Sequence, residues 1–204
     1  VVHYKNGALV DHFTDANSPL EKSSDFLFAP GVAMDQAGNV WVSNYDAKDK
    51  ILKVRTRDNE WNSFQLGFGV TRASEILIDD AGNKWIVNPN QNDAGIIVMK
   101  DIDGPLGSRL ITRKLTTGAK AGGLPSNVVR AIELEDEGEI WVGTDNGLAI
   151  FYNPTNIFDG GEDVDAKRRP IDDGNDIGYL LGSEVINDIK IDGANRKWIA
   201  TNTG

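Results

Sequence analysis

The chain has 204 residues, 40% of them hydrophobic, with 22 glycines, 7 prolines and no cysteine; that is enough to bury a sizeable core, and nothing in it suggests global disorder. Without cysteine there are no disulfides, thiolate metal sites or cysteine nucleophiles, and a formal charge of −10 argues against nucleic acid as a partner, which needs clustered Lys and Arg. No run of about 18 apolar residues offers a membrane span, and a chain opening on Val1 rather than Met reads as a mature or trimmed piece that could have lost a targeting segment.

In chain order, the first 24 residues read as strand followed by a loop. His12-Phe13-Thr14 closes an outer strand, and Asn17-Ser18-Pro19-Leu20 leads into the next unit. The only weak helical pattern, around Ser18–Phe26, reads as loop. Four copies of one pattern then follow: AMDQAGNVWVSN, LIDDAGNKWIVN, LEDEGEIWVGT and IDGANRKWIAT. Their tryptophans, Trp41, Trp85, Trp141 and Trp198, are spaced by 44, 56 and 57 residues, a period that signals a propeller, solenoid or array.

In each copy an apolar β-branched stretch enters an acidic turn and leaves on a Trp strand, as short buried strands do. Gly38, Gly82 and Gly138 stand where that turn needs a positive φ, and Asn195 takes the same place in the fourth copy. A third strand follows at Ile51–Val54, Gly95–Met99 and Leu148–Tyr152, then a more polar fourth at Glu60–Phe64 and Leu110–Leu115. Four strands per period make a propeller blade. The expected fold class is therefore all-β, a β-propeller with about four blades' worth of four-stranded antiparallel sheet. The expected divisions are a partial blade 1–24, blades 25–70, 71–120 and 121–180, and a partial blade 181–204. Both ends fall at the same phase of the repeat, after the Trp strand. Either the chain is part of a seven- or eight-bladed ring, or strands from Val1 to Thr14 pair onto the strand carrying Trp198 and close a smaller one.

The four repeat tryptophans read as core between blades rather than as sugar platforms. Trp61, on an outer strand, also reads as packing. The carboxylates before the turns (Asp35, Asp79, Asp80, Asp136, Asp192) read as turn closers bonding their own backbone rather than as metal ligands. The acidic inserts Asp159–Asp165 and Asp172–Asp176 do not fit a calcium loop and read as solvated. His3 and His12, the only histidines, lie in strands near the N-terminus, and a metal or acid–base site would need partners from distant blades. Gly122 and Gly123 read as a loop hinge, since no helix follows to complete a phosphate site. No cofactor, metal or catalytic residue is expected.

WVGTDNGLAIFYNP, preceded by LPSNVVRAI, resembles the two-component-regulator propeller repeat, whose pattern is an inner strand, D-x-x-G, then W-[IV]-G-T-x-x-G-[LI]. WIATNTG fits the same pattern; WVSN and WIVN in the first two copies depart from it. The resemblance runs from about Asp25 to Gly204 and is specific for the propeller rather than for a role. It implies an extracytoplasmic protein, in the periplasm or at the cell surface. One such group is the PorZ-like proteins of type IX secretion, which the divergent Trp strands and the HFT…NSPL lead-in favour. The alternative is the glycan-sensing region of a hybrid two-component histidine kinase. A less favoured alternative is a streptogramin-lyase-like enzyme, which would imply a central His and a metal.

In a propeller, the lead-in loops and those between second and third strands gather on one face, and loops on a rigid scaffold are where binding resides. That face would carry Asn44, Tyr45, Asp46, Asn88, Asn90, Gln91, Asn92, Ser126, Asn127, Asp145, Asn146, Tyr179 and Asn202. Amides, hydroxyls and two tyrosines suit hydrogen bonding to a glycan or to another envelope protein; the competing reading is that Asn is simply good at turns. The expected role is binding or scaffolding without catalysis or membrane insertion.

Overall fold

A computed structural model describes residues 1–48, 50–90, 92–101, 109–159, 164–172 and 177–203. Two compact units divide it, Val1–Ile76 and Leu77–Gly204.

The first unit begins with a hairpin, β1 (Val2–Lys5) and β2 (Ala8–His12), turned by Asn6 and Gly7 at φ 52° and 78°. Asn-Gly is the pair such a two-residue turn selects, because both positions need positive φ. A four-stranded antiparallel meander follows: β3 (Gly31–Met34), β4 (Val40–Ser43), β5 (Leu52–Arg55) and β6 (Trp61–Phe64). Opposed residues share a face. Ala33, Trp41 and Val54 therefore point one way, and Val32, Val42 and Lys53 the other. Trp41 is fully buried and stacked on Phe64 at 5.5 Å. Trp61 is half-buried, edge-on to Phe13 at 5.4 Å, so it packs as expected.

The second unit repeats the meander in β7 (Ile76–Ile78), β8 (Lys84–Asn88), β9 (Gly95–Asp101) and β10 (Leu110–Leu115). β11 (Val129–Leu134), β12 (Ile140–Thr144) and β13 (Gly147–Phe151) form a three-stranded sheet, where a fourth strand was expected. After β13 the chain folds into a 3₁₀ turn, Pro154–Phe158, which the sequence reading missed. Among the described residues the chain returns to the sheet at Lys167, which exchanges both backbone hydrogen bonds with Ile150 at 2.8 and 2.9 Å. Pro170 then opens a separate hairpin, β14 (Pro170–Asp172) with β15 (Ile177–Tyr179); lacking an N–H, proline cannot extend a ladder. Last come β16 (Ile186–Ile191) and β17 (Lys197–Thr201).

Two cores hold this unit. Trp85, Val87, Ile96 and Val98 pack on Ile132, Ile140, Val142 and Phe151 of the next sheet. Trp141, Leu148 and Ile150 pack on Ile186 and Ile189 of β16. A buried Trp of this kind is worth on the order of 3–5 kcal/mol over alanine. Trp198 breaks the expectation that all four are core: it is 62% exposed, because no described strand lies over its face of β17. Among the described residues β1–β2 and β16–β17 are each two-stranded sheets.

The divergent letters after each Trp now have reasons. Ser43 donates its hydroxyl to the Ser74 carbonyl at 2.5 Å and accepts from the Gly31 N–H at 2.8 Å. Val87 fills the first core. Gly143 leaves room for Ile186, whose Cβ would lie 2.8 Å from any Cβ added there.

Candidate functional site

The repeat turn is structural. Asp35 accepts from the N–H groups of Ala37 and Asn39 and from Trp41 Nε1, at 2.9–3.0 Å. Asp79 does the same for Ala81, Asn83 and Trp85, and Asp192 for Ala194, Arg196 and Trp198. Gly38, Gly82 and Gly138 have φ of 79–87°, and Asn195 has 57°. Burial pushes the Asp35 carboxyl up, but donors from Trp41 and Asn39 outweigh it and hold the pKa below the usual range. In Asp192 the Trp198 indole is the largest influence, and the pKa falls to about 2. Asp80 and Asp136 do not take the turn-closing place; the third copy puts Glu135 there. Its longer side chain reaches Lys197 Nζ of β17 at 2.6 Å instead of Trp141, whose Nε1 turns to Glu139 at 3.3 Å. Burial raises the Glu135 pKa, and Lys197 and Asn195 lower it further, leaving it below the ordinary value.

The predicted loop residues separate into tied and presented ones. Asn44 is buried, with both amide atoms on the Glu21 backbone at 2.6 and 2.9 Å. Asn88 is buried and bonds Asp93 O and the Asn90 N–H, while Asn90 accepts from the Asn92 N–H. Ser126 and Asn127 accept from the N–H groups of Val128 and Thr117, and Asn202 accepts from Asn187 Nδ2. Asn88, Asn90 and Ser126 bond within their own turns, while Asn44, Asn127 and Asn202 tie their loops to segments 10 to 23 residues away. Gln91 lies outside the described residues.

Two groups remain presented, one in each unit. In the first unit Tyr45 stands edge-on to Phe28 at 5.4 Å with the Arg72 guanidinium 5.5 Å from its ring centre. Asp46, at φ 58°, accepts from Ser23 Oγ at 2.7 Å and faces Arg72 at 3.5 Å. Beside them Glu21 grips Lys53 at 2.8 Å, and that ammonium holds its pKa down. In the second unit Arg168 bridges two loops, donating to Gly182 O at 3.2 Å and Asn146 O at 3.4 Å, with its guanidinium 5.7 Å from the exposed Tyr179 ring. Asn146 is exposed, and its Nδ2 donates to Pro125 O at 3.3 Å; Asp145 is half-buried. Arg168 thus brings Asn146 and Tyr179 together. Sequence reasoning missed Phe28, Arg72 and Arg168, because none lies in a turn of the repeat; an unpaired aromatic in the Phe26-Leu27-Phe28 loop was the one available signal. An aromatic ring, a guanidinium and an amide form a surface for hydrogen bonding and stacking.

The other chemistries have little to build on. Among the described residues no group of three or more His, Cys, Asp or Glu side chains is placed to hold a metal. Residues 160–163 and 173–176 of the acidic inserts lie outside the description; Asp165, within it, accepts from the Lys120 and Gly122 N–H groups at 2.7 and 2.9 Å. His3 pairs with Asp11 at 3.1 Å on the exposed first hairpin. No helix among the described residues is long and apolar enough to cross a membrane.

Comparison with known proteins agrees with this fold. Residues 123–146 match the two component regulator propeller family. No curated protein matches the chain. Among solved structures, PorZ, a surface component of the type IX secretion system of Porphyromonas gingivalis, superposes with a TM-score of 0.81 over 98% of this chain at 18% identity. The extracellular domain of a putative hybrid two-component system of B. thetaiotaomicron gives 0.55 over 94% at 16%. Virginiamycin B lyase of Staphylococcus aureus gives 0.53 over 85% at 14%. The chain spans only 28%, 22% and 49% of those three chains. The chain has a β-propeller fold, with a two component regulator propeller repeat at residues 123–146.

Proposed function

We propose that this stretch is a non-enzymatic binding and scaffolding part of an extracytoplasmic protein, in the periplasm or at the cell surface. In the leading reading it belongs to a PorZ-like component of type IX secretion. The observation carrying that reading is the margin of the PorZ superposition, 0.81 against 0.55 for the sensor domain, over nearly the whole chain. The presented groups suit it: Tyr45 with Arg72, and Tyr179 with Arg168 and Asn146, offer stacking and hydrogen bonds to a protein loop or a glycan. The second reading, glycan sensing for a hybrid histidine kinase, is favoured by the repeat family of residues 123–146.

Deletion of the gene in its own bacterium tests both. Loss of type IX cargo from the surface, not restored by a Tyr179→Ala, Arg168→Ala copy, is the expected result. Normal secretion with lost transcriptional response to a glycan selects the sensor. Neither defect overturns both readings. The lyase reading rests on fold likeness alone, and stoichiometric divalent metal beside a histidine in the purified protein would revive it.

A further inference from the structure

Several cations that tie segments together in the second unit carry an acid. Lys84 holds Asp101 at 2.5 Å, Lys190 holds Glu133 at 2.5 Å and Lys197 holds Glu135 at 2.6 Å. Arg168 differs: among the described residues no carboxylate lies within ion-pair distance of it. Its bonds go to two backbone carbonyls, Gly182 O at 3.2 Å and Asn146 O at 3.4 Å. A carbonyl dipole orients a guanidinium without neutralising its charge. Lys167 and Arg169 flank it in sequence, so the charge stands in a run of three cations.

Arg113 shows how a guanidinium spent on structure is held. It donates to Ile157 O at 2.6 Å and to Lys120 O at 2.9 Å. The two bonds of Arg168 lie at the long limit for N–H···O, so they aim the fork without saturating its five donors. Beside it Tyr179 is 52% exposed, with its ring centre 5.7 Å from the guanidinium. The Tyr179 hydroxyl makes no hydrogen bond among the described residues.

A planar cationic fork beside an open aromatic ring matches a carboxylate on a chain that has something to lay on the ring. A sugar asks for more, because its hydroxyls need several donors and acceptors. The polar side chains of the adjoining loop are engaged already: Asn146 Nδ2 with Pro125 O, Ser126 Oγ with the Val128 N–H, and Asn127 Oδ1 with the Thr117 N–H. One acidic side chain needs only the fork. We infer that Arg168, aimed by Gly182 O and Asn146 O and backed by Tyr179, receives an aspartate or glutamate carboxylate from a partner protein. This rests on the reading of that surface as a binding face. Tyr179 covers the partner residue next to the acid.

Selection from a random peptide display library on the purified chain tests this, with a panel of neutral and uronate-bearing oligosaccharides in parallel. The expected result is enrichment of peptides that share an Asp or Glu, and preference for them over any oligosaccharide. For an enriched peptide, Arg168→Ala weakens binding about tenfold or more, and so does replacing its acid by the amide. Making both changes costs no more than either alone, the coupling expected of a direct pair. Arg168→Ala acting only by loosening the two loops would weaken acid and amide peptides alike. Tyr179→Ala, at an exposed position, weakens binding about fivefold. Enriched peptides without an acid, equal losses for acid and amide peptides, or a preferred uronate oligosaccharide overturns the inference. If the Tyr179→Ala, Arg168→Ala copy fails in the cell while no acidic peptide is enriched, the binding face stands and the carboxylate inference falls.

Discussion

The turns before Trp85 and Trp141 occupy the same place in successive sheets, yet their acids do different work. Asp79 stays inside its own turn, where one buried carboxylate holds four donors: the Ala81 and Asn83 N–H groups, Asn83 Nδ2 and Trp85 Nε1. Glu135 is one methylene longer and reaches out to Lys197 of the last hairpin, whose ammonium also sits 5.4 Å from the Trp141 ring centre. Glu133 and Lys190 add a second clip between the same two sheets at 2.5 Å. A single added carbon thus converts a local staple into a tie between sheets, at a place where the core is the smaller of the two.

Substitutions at the two turns should separate these roles. Asp79→Ala is expected to cost the most, about 3–5 kcal/mol in urea unfolding, because each buried donor left without a partner costs about 1–3 kcal/mol. A loss under about 1 kcal/mol would mean that water replaces the carboxylate, and the contrast would fail. Next comes Gly143→Val, which copies the Val87 of the preceding sheet into a place already filled by Ile186. Overpacking of about 1–3 kcal/mol is expected, with crystallographic displacement of β16; an unchanged unfolding midpoint would show that the hairpin is loosely held. Glu135→Ala should cost less, about 1 kcal/mol. Lys197 keeps its Asn195 partners, and the buried Glu135 Oε1 has none in any case. The smallest effect is one of titration. The Asp192 carboxyl should titrate near pH 2 by NMR, below the ordinary aspartate value of about 3.9. Its folded pKa is depressed, so its contribution to stability is present above the ordinary value and fades as pH falls toward 2. Trp198→Phe removes the largest cause and should move the midpoint up; an unmoved midpoint would assign the shift to the backbone donors.

Most of the architecture was readable in the sequence because it is local. The turn glycines, the Asn195 substitute and the alternation around each Trp all follow from φ preference and a period of two, which neighbouring residues settle among themselves. Whether Trp198 is buried depends on what lies over it, and the pattern IDGANRKWIAT looks the same with or without a cover. Among the described residues the third sheet has three strands, followed by a 3₁₀ turn and a proline, features of an insert that repeat comparison could not align. For the loops, Asn44 and Asn88 look alike to Asn146 in sequence. Only the three-dimensional course of the lead-in segments shows that the first two are buried and tied while the third faces solvent beside Arg168.

Among the described residues every sheet runs in sequence order, each strand hydrogen-bonded to the one before or after it. That carries a kinetic consequence. Pairing between consecutive strands closes short loops, so little chain entropy is lost before a sheet begins to gain contacts, and sequence-local pairing is what speeds β folding. A strand order with crossovers would hold early strands unpaired until distant ones arrived. Here a sheet can form as soon as its own fifty or so residues are available, about the length of one repeat, and its edges spend little time open to other chains.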